Sequence, residues 1–324
     1  MPRVLITEPL SPEGIALLEP TCQVDVQLNP TAAQLRRLIR GCEALIVRSN
    51  TAVTAEVLEA ADRLVVVARA GTGVDNIDVD AATRRGILVV NAPTSNTVAV
   101  AEHTLGLMLA LARHIPQADA CMHQGCWDKR RFMGTELRDK TLGLVGLGRV
   151  GAAVAARARG FEMRVIAHDP FVGPERAQRL GVEMVGLDDL LQQADYVSLH
   201  VPSTERTRGM IGARELGLMK RSAYLVNCAR GDLVALDDLA RALCEGRIAG
   251  AALDVFPDEP QINPTLLACP NLVLTPHLGA STHEAQSGAA LQVAQQVADV
   301  LAGRQARYPV NITALTSEEM GFLQ

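Results

Sequence analysis

The stretch Thr141-Leu-Gly-Leu-Val-Gly146-Leu-Gly148-Arg-Val-Gly151 decides how this chain is read. An apolar run enters three glycines spaced G-x-G-x-x-G, and a helix-like run, Val150 to Arg159, leaves them. A second apolar run, Met163-Arg-Val-Ile-Ala-His168, ends at an acid, Asp169, eighteen residues past Gly151. Strand, tight glycine turn, helix, strand and acid form the arrangement that binds a dinucleotide. Gly146 and Gly148 let the backbone turn and approach a pyrophosphate, and Gly151 lets the helix pack close to the strand. The helix N-terminus turns free N–H groups and its positive dipole end toward the phosphates. The glycine pattern alone would mark only a loop; the strand before it and the acid after it give it meaning. A carboxylate at Asp169 accepts hydrogen bonds from two ribose hydroxyls and repels a 2′-phosphate, so NAD is favoured over NADP. Pro170 follows, and no Arg stands within the next few residues to receive that phosphate. The competing reading of Asp169 is a helix cap after a strand.

With 324 residues the chain has room for two domains of ordinary size. A hydrophobic fraction of 48% supports a sizeable core and argues against disorder. A net charge of −5 and a pI near 5.8 argue against a nucleic-acid-binding surface. Seven cysteines show no disulfide-like spacing, and no charged-then-apolar leader opens the chain, so a reducing cytoplasm is expected. The longest apolar stretch, Val98 to Ala112, contains Glu102 and His103 and is too short to span a bilayer; it reads as a buried helix. No membrane partner is expected. Cys121-Met-His123-Gln-Gly-Cys126 offers three metal donors where structural zinc needs four, so it reads as ordinary helix residues, and no metal site is expected.

Outside the glycine turn, short β-rich runs alternate with helical patterns. Arg3 to Thr7, Ala44 to Val47, Leu64 to Ala68 and Ile87 to Val90 read as strands, with helices over Thr31 to Arg40 and Thr54 to Ala60. Continuous apolar runs of this length suit parallel strands buried on both faces. After a long helix near Thr97 to Arg113 and a basic stretch, Asp128-Lys-Arg-Arg131, a second alternating series begins at Thr141. Leu142–Val145, Arg164–His168, Tyr196–Val201, Tyr224–Asn227, Ala251–Asp254 and Leu272–Thr275 read as about six strands of a doubly wound sheet. A helix from Ser281 to about Ala302, a strand-like segment from Arg307 to Asn311 and an aperiodic tail close the chain.

Three segments beyond strand ends carry groups for hydride-transfer chemistry, which needs one group to hold a substrate and another to exchange its proton. They are Asn227-Cys-Ala-Arg230-Gly231, Asp254-Val-Phe-Pro-Asp-Glu259-Pro260 and Thr275-Pro-His277-Leu-Gly-Ala-Ser281-Thr282. Arg230 can clamp a carboxylate in two-point fashion and polarise a neighbouring carbonyl. His277 is the natural general acid/base, and Glu259 would orient its imidazole and favour the protonated form. Each alone has a bland alternative: a surface Arg, a capping Glu, a loop His. Their placement at three strand ends beside a dinucleotide fold is what joins them.

These segments, with Gly146–Gly151, resemble the D-isomer-specific 2-hydroxyacid dehydrogenases. So do Val47-Arg-Ser49, Arg69-Ala-Gly-Thr-Gly-Val-Asp-Asn76, Phe132-Met-Gly-Thr-Glu-Leu137 and Ala251-Ala-Leu-Asp-Val-Phe256. The likeness runs to about Ser317. The wording at Arg69–Asn76 and Pro276–Thr282 is most similar to members that act on 3-phospho-D-glycerate. The resemblance implies a doubly wound Rossmann domain over 95–281, a smaller flavodoxin-like α/β domain from 1–94 and 282–312, and a tail over 313–324. It implies NAD-dependent oxidation of the C2 hydroxyl of 3-phospho-D-glycerate, the first step of phosphorylated serine biosynthesis. It makes His277 the acid/base, Glu259 its partner and Arg230 the carboxylate holder. Backbone N–H groups of Gly73 and Val74 would hold the same carboxylate, with Asn96 lining the pocket and Arg48 and Ser49 meeting the phosphate. Thr72, Arg149, Val150, Asp169, Pro202, Thr207, Cys228 and Asp254 would contact NAD.

The chain departs from the family at Asp232, where a second glycine is common, and at Ala235-Leu-Asp-Asp238; little effect is expected. Some relatives carry further C-terminal domains that bind serine, and these residues do not support such feedback. Two other readings stay open. One is a hydroxypyruvate or glyoxylate reductase; the other is a non-catalytic NAD-sensing protein, since co-repressors of this superfamily keep the trio. Formate dehydrogenases fit less well, typically lacking the acid seen at Glu259. A homodimer or homotetramer is expected, formed through Val98–Arg113 and the segment after it. That helix is apolar around most of its circumference, and Trp127, the only Trp, stands among polar residues.

Overall fold

The structure, a computed structural model, describes residues 1–311. The tail read over 313–324 lies outside them. Along the chain come β1 (Arg3–Ile6), α1 (Pro12–Leu18), β2 (Gln23–Val26), α2 (Ala32–Leu38) and β3 (Ala44–Val47). Next are α3 (Ala55–Ala60), β4 (Val66–Arg69), α4 (Val79–Arg84), β5 (Leu88–Asn91), α5 (Thr97–Ala112) and α6 (Ile115–His123). Then follow β6 (Thr141–Val145), α7 (Arg149–Gly160), β7 (Arg164–His168), α8 (Pro174–Leu180), β8 (Glu183–Met184) and α9 (Leu187–Gln193). The series ends with β9 (Tyr196–Leu199), α10 (Ala213–Leu218), β10 (Tyr224–Asn227), α11 (Leu236–Cys244), β11 (Gly250–Leu253), α12 (Pro264–Leu267), β12 (Leu272–Leu274) and α13 (His283–Leu301). Among the described residues, Met1–Asn96 with residues 280–311 form one compact unit, and Thr97–Gly279 form the other.

The first unit is built on a five-stranded parallel sheet in the order β2-β1-β3-β4-β5. That is the flavodoxin-like order, with its topological switch point between β1 and β3. Alternate residues of each strand feed two cores. Leu5, Leu45 and Val67 face α2 and α3 through Leu35, Val57 and Leu58. Val4, Ile46 and Val66 share the opposite core with Leu18 of α1 and Val293 and Val297 of α13. Burial on both faces is why the strands read as unbroken apolar runs. Helix α13 reaches this sheet from the far end of the sequence, crossing α1 so closely that a Cβ on Gly14 would lie 2.9 Å from the Cβ of Ala290. A capping box between Thr31 and Gln34 opens α2, and the Asp78 carboxylate caps α4 at the Ala81 N–H.

Strand β2 and helices α1 and α4 were not expected from the sequence. β2 is an edge strand whose Gln23 and Asp25 break the apolar run. The strand-like segment Arg307–Asn311 does not form a strand. It makes one antiparallel bridge, Val90 to Pro309, because proline has no N–H to extend a ladder. Around that bridge the Val310 N–H donates to the Val89 carbonyl at 2.8 Å. The Asn311 side chain accepts from the Val89 N–H at 2.9 Å and donates to the Ile87 carbonyl at 2.9 Å.

The second unit carries a seven-stranded parallel sheet, β12-β11-β10-β9-β6-β7-β8. Its first strand, β6, lies between β7 and β9, the doubly wound Rossmann order with the switch point at β6/β9. The seventh strand beyond the six expected is β8, two residues long. Half of α5 is buried, and it packs within this unit against α7, β10, β11 and β12. Among the described residues no single helix is long and apolar enough to cross a membrane. The cysteines of the 121–126 segment are not ordinary helix residues: Cys121 and Cys126 are joined in a disulfide. Gly125, at φ +75°, reverses the chain after α6, and the Cys126 N–H returns to the Cys121 carbonyl at 3.0 Å.

Gln296, 2% exposed on α13, ties the first unit's C-terminal return to its sheet. Its Nε2 donates to the Asn91 carbonyl at 2.9 Å and its Oε1 accepts from the Tyr308 N–H at 2.7 Å. Gln296→Leu is expected to strand both groups and cost about 2–4 kcal/mol, since each buried unsatisfied partner costs roughly 1–3 kcal/mol. Urea unfolding measures this; a loss under about 1 kcal/mol would show that water satisfies both groups.

Candidate active site

The glycine turn follows from β6 feeding α7. Gly146 sits at φ +98°, and a Cβ there would lie 2.6 Å from the His200 carbonyl oxygen. Gly151 faces the turn itself: its Cβ would lie 2.3 Å from the Gly146 carbonyl oxygen. A Cβ on Gly148, the N-cap of α7, would meet nothing within 4 Å. Two glycines are therefore demanded by the protein's own backbone, and one opens outward at the N-terminus of α7, beside Arg149 and Val150. Asp169 closes the turn from the end of β7, one carboxylate oxygen accepting from the Leu147 N–H at 2.8 Å and the other from the Phe171 N–H at 2.9 Å. Each oxygen keeps a further lone pair for a hydroxyl. Across the switch point, Thr207 donates to the Pro202 carbonyl at 2.7 Å and shapes the loop after β9.

Arg230 follows β10 in a turn built by Asn227, a buried amide that the sequence reading passed over. Asn227 accepts from the Ala229 N–H at 3.0 Å and donates to the Arg230 carbonyl at 2.8 Å. Gly231 presses this turn onto the next loop, where a Cβ would lie 2.0 Å from the Phe256 carbonyl carbon. That loop presents Glu259. Its Oε1 accepts from the Phe256 N–H at 2.9 Å, and its Oε2 lies 2.7 Å from His277 Nδ1. The three residues assigned to catalysis thus occupy adjoining loops past β10, β11 and β12, with His277 and Glu259 paired. Cys228, also past β10, is buried, and burial pushes its thiol up to about 12. It stays a neutral packing group there.

Beneath His277 lies Asp254, only 1% exposed. Its Oδ1 accepts from the Leu278 N–H at 2.7 Å and from the Thr275 hydroxyl at 2.5 Å, and lies 3.2 Å from His103 Nε2 on α5. Its Oδ2 accepts from the Gly279 N–H at 2.8 Å. Burial works to raise this carboxyl, but His103, Thr275 and the two N–H groups together hold it below the ordinary range. The Asp254 backbone carbonyl accepts from the His277 N–H at 2.8 Å. His277 itself sits at φ +56°, left-handed backbone that a non-glycine residue adopts only when its surroundings hold it. His103 and Thr275 had no assigned role; a His on an apolar helix face is the sequence signal that could have found the first.

The remaining candidates belong to the first unit. Arg48 and Ser49 follow β3, at the switch point between β1 and β3. Glu8, just past β1 and buried, grips this turn: its carboxylate accepts from the N–H groups of Arg48 at 2.8 Å, Asn50 at 3.0 Å and Thr51 at 2.9 Å. Asn76 ties the Gly73–Val74 loop to the same turn, donating to the carbonyls of Arg48 at 2.9 Å and Thr51 at 2.7 Å. Thr72 donates to Asn96 Oδ1 at 2.9 Å. Among the described residues the Gly73 and Val74 N–H groups have no acceptor. All six candidates of this unit cluster past the carboxyl ends of its strands, where open α/β sheets take ligands.

Residues 105–279 match the family model for the NAD-binding domain of the D-isomer-specific 2-hydroxyacid dehydrogenases. A D-3-phosphoglycerate dehydrogenase of Methanocaldococcus jannaschii is 48% identical over 100% of this chain and 62% of its own length. The chain spans between 58% and 62% of the length of the first curated relatives it matches. A solved structure of a Thermus thermophilus protein covers 95% of this chain and 99% of its own at 38% identity and TM-score 0.88. A solved glyoxylate reductase of Paecilomyes thermophila covers 95% and 98% at 29% identity and TM-score 0.88.

Glu8 generates a pH prediction. Burial works to raise its carboxyl, but the N–H groups of Asn50, Arg48 and Thr51 and the Thr51 hydroxyl outweigh it, so its folded pKa is depressed. A depressed carboxyl stabilises fully above its unfolded pKa, near 4.3, and loses that contribution as pH falls through the folded value. Glu8→Gln should lose about 2 kcal/mol at pH 7, on the scale of hydrogen bonds to a charged group. Measured by urea unfolding, the gap between parent and variant should narrow below about pH 4.5. A gap that stays constant down to pH 3 would assign the loss to amide geometry rather than charge.

Proposed function

Because the chain belongs to the D-isomer-specific 2-hydroxyacid dehydrogenase family, we propose that it oxidises 3-phospho-D-glycerate at C2 to 3-phosphohydroxypyruvate with NAD. One observation carries the choice of a phosphorylated substrate. The Arg48–Ser49 turn is gripped from below by Glu8 at the switch point of the first unit's sheet, which leaves a guanidinium and a hydroxyl at a ligand-binding position. The name of the Methanocaldococcus jannaschii relative agrees with this reading.

The glycine turn and the N-terminus of α7, at Arg149 and Val150, fit a pyrophosphate, and Asp169 fits the adenosine ribose. Pro202, Thr207, Cys228, Asp254 and Thr72 are assigned to the same cofactor. A bound NAD would supply the acceptor for the hydride from C2. His277 takes the proton from the C2 hydroxyl, with Glu259 fixing its ring by the Nδ1 contact so that Nε2 faces outward. Arg230, Gly73 and Val74 are assigned to the substrate carboxylate, Asn96 to the pocket wall, and Arg48 and Ser49 to the phosphate. In the reverse direction His277 returns the proton to the C2 oxygen. A hydroxypyruvate or glyoxylate reductase is the second reading, favoured by the likeness to the Paecilomyes reductase. An NAD sensor is set apart from both by its lack of turnover. We place the enzyme in the cytoplasm. We take it as a homodimer or homotetramer, with Trp127, 83% exposed, as an anchor.

The deciding experiment compares NADH oxidation with phosphohydroxypyruvate, hydroxypyruvate, glyoxylate and 2-oxoglutarate. Phosphohydroxypyruvate should give the highest kcat/KM. Arg48→Ala should lower that value by about 10–150-fold, the equivalent of a charge-assisted bond worth 1.5–3 kcal/mol, and leave hydroxypyruvate nearly unaffected. Equal losses on both substrates would remove the phosphate role. His277→Ala should cut turnover by roughly 10²–10⁴-fold while NADH still binds.

Asp169→Ala deletes both the ribose acceptor and the charge facing a 2′-phosphate. The ratio of kcat/KM for NADH over NADPH should fall by at least about tenfold, a change worth 1.4 kcal/mol. An unchanged ratio would make Asp169 a structural brace for Leu147 and Phe171.

A further inference from the structure

We propose that Cys244 and Cys269 form a two-electron redox couple that hydroperoxides close to a disulfide, and that its state is felt at Glu259. The two sulfur atoms lie 3.9 Å apart. Cys244 is the last residue of α11 and Cys269 follows the C-terminus of α12, two helices packed side by side. A disulfide needs about 2.05 Å between sulfurs, a closure within reach of side-chain rotation and a small shift of α12. Of the five free cysteines, Cys22, Cys42 and Cys228 are buried, whereas Cys244 is exposed and Cys269 half-buried. The pair is therefore where a soluble oxidant finds two thiols together.

The roles divide by exposure. The exposed Cys244 thiolate attacks one oxygen of the hydroperoxide, breaking the O–O bond and releasing water or an alcohol after protonation. The resulting sulfenic acid is then attacked by the Cys269 sulfur, which forms the S–S bond and expels water. In sum two thiols give up two protons and two electrons, and one hydroperoxide is reduced. Cys269 suits the second role: burial, followed by its contact with the Cys244 sulfur, pushes its thiol up, so it is the poorer first attacker. Its Sγ already rests on the Thr265 carbonyl at 3.3 Å, within α12.

The ring that such a bond closes contains β11, Asp254 and Glu259. α12 is capped by Asn263, whose amide also donates to Asp237 of α11 at 3.1 Å. Drawing Cys269 toward Cys244 therefore moves the end of a segment whose start holds Glu259 against His277.

The test treats the reduced protein with hydrogen peroxide, blocks remaining thiols with iodoacetamide and maps tryptic peptides by mass spectrometry. A Cys244–Cys269 linked peptide, lost on adding dithiothreitol and absent in Cys244→Ser, is expected. Alkylation of both residues after peroxide, or coupling of Cys244 to Cys121 or Cys126 instead, would overturn the couple. This readout is independent of which substrate the enzyme takes. On the same samples, kcat for NADH oxidation with phosphohydroxypyruvate should fall several-fold on oxidation and recover with dithiothreitol, with KM for NADH unchanged. In Cys244→Ser it should not respond. Equal kcat in the linked and reduced forms would overturn the connection to Glu259.

Discussion

A carboxylate withdrawn from water must be met by donors, and Asp254 is met from four directions. The donors come from α5, from the end of β12 and from the loop that carries His277. One acid at the end of β11 thereby fixes the relation among a core helix, two strands and the proposed proton-transfer residue. The left-handed backbone at His277 persists because Leu278 and Gly279 on one side and the His277 N–H itself are all held by Asp254. Glu259 then needs to fix only the ring, not the backbone. The first unit repeats the device at smaller scale. Glu8, past its own strand, gathers three N–H groups and so sets the turn that presents Arg48. Both proposed ligand positions rest on a buried acid whose carboxylate gathers backbone N–H groups of the loop that carries the proposed residue.

The fold was legible where burial on both sheet faces leaves an uninterrupted apolar run. Ala44–Val47, Arg164–His168 and Tyr224–Asn227 stand as read, since parallel strands in such sheets have no polar face to blur the pattern. It was not legible at the margins. β2 alternates polar and apolar residues over only four positions, too short for its period to show. Helices α1 and α4, of seven and six residues, complete fewer than two turns and leave no stripe to read. Arg307–Asn311 carries strand-like composition, but Pro309 limits it to one bridge. The Cys121–Cys126 bond depends on a chain reversal at Gly125, and spacing does not record which way a chain turns.

For the candidate site, the residues with unusual chemistry were visible and those that hold them were not. Three glycines, an acid, and an Arg, a Glu and a His at strand ends announce themselves by type and position. Asn227, Asn76 and Glu8 do not, because an amide or acid that braces a turn looks like any loop residue until its partners are known. Asp254 was read as a cofactor contact, and its second part as a buried brace for the His277 loop was not visible. That part lies in side-chain direction, which one-dimensional spacing does not carry.

The return of residues 308–311 to β5 has a consequence for self-association. β5 is an outer strand of the five-stranded sheet, and its Leu88-Val-Val run is the kind of apolar border that templates the addition of another chain. Tyr308, Pro309, Val310 and Asn311 occupy its outward hydrogen-bonding row by one bridge and an amide side chain, without offering a regular strand of their own. A proline in that row cannot donate onward, so pairing stops there. The opposite border is guarded differently, by the brevity of β2 and the ion pair between Arg3 and Asp25. The C-terminal return thus works as a selvedge: it finishes the woven edge so that the sheet does not unravel into fibrous growth.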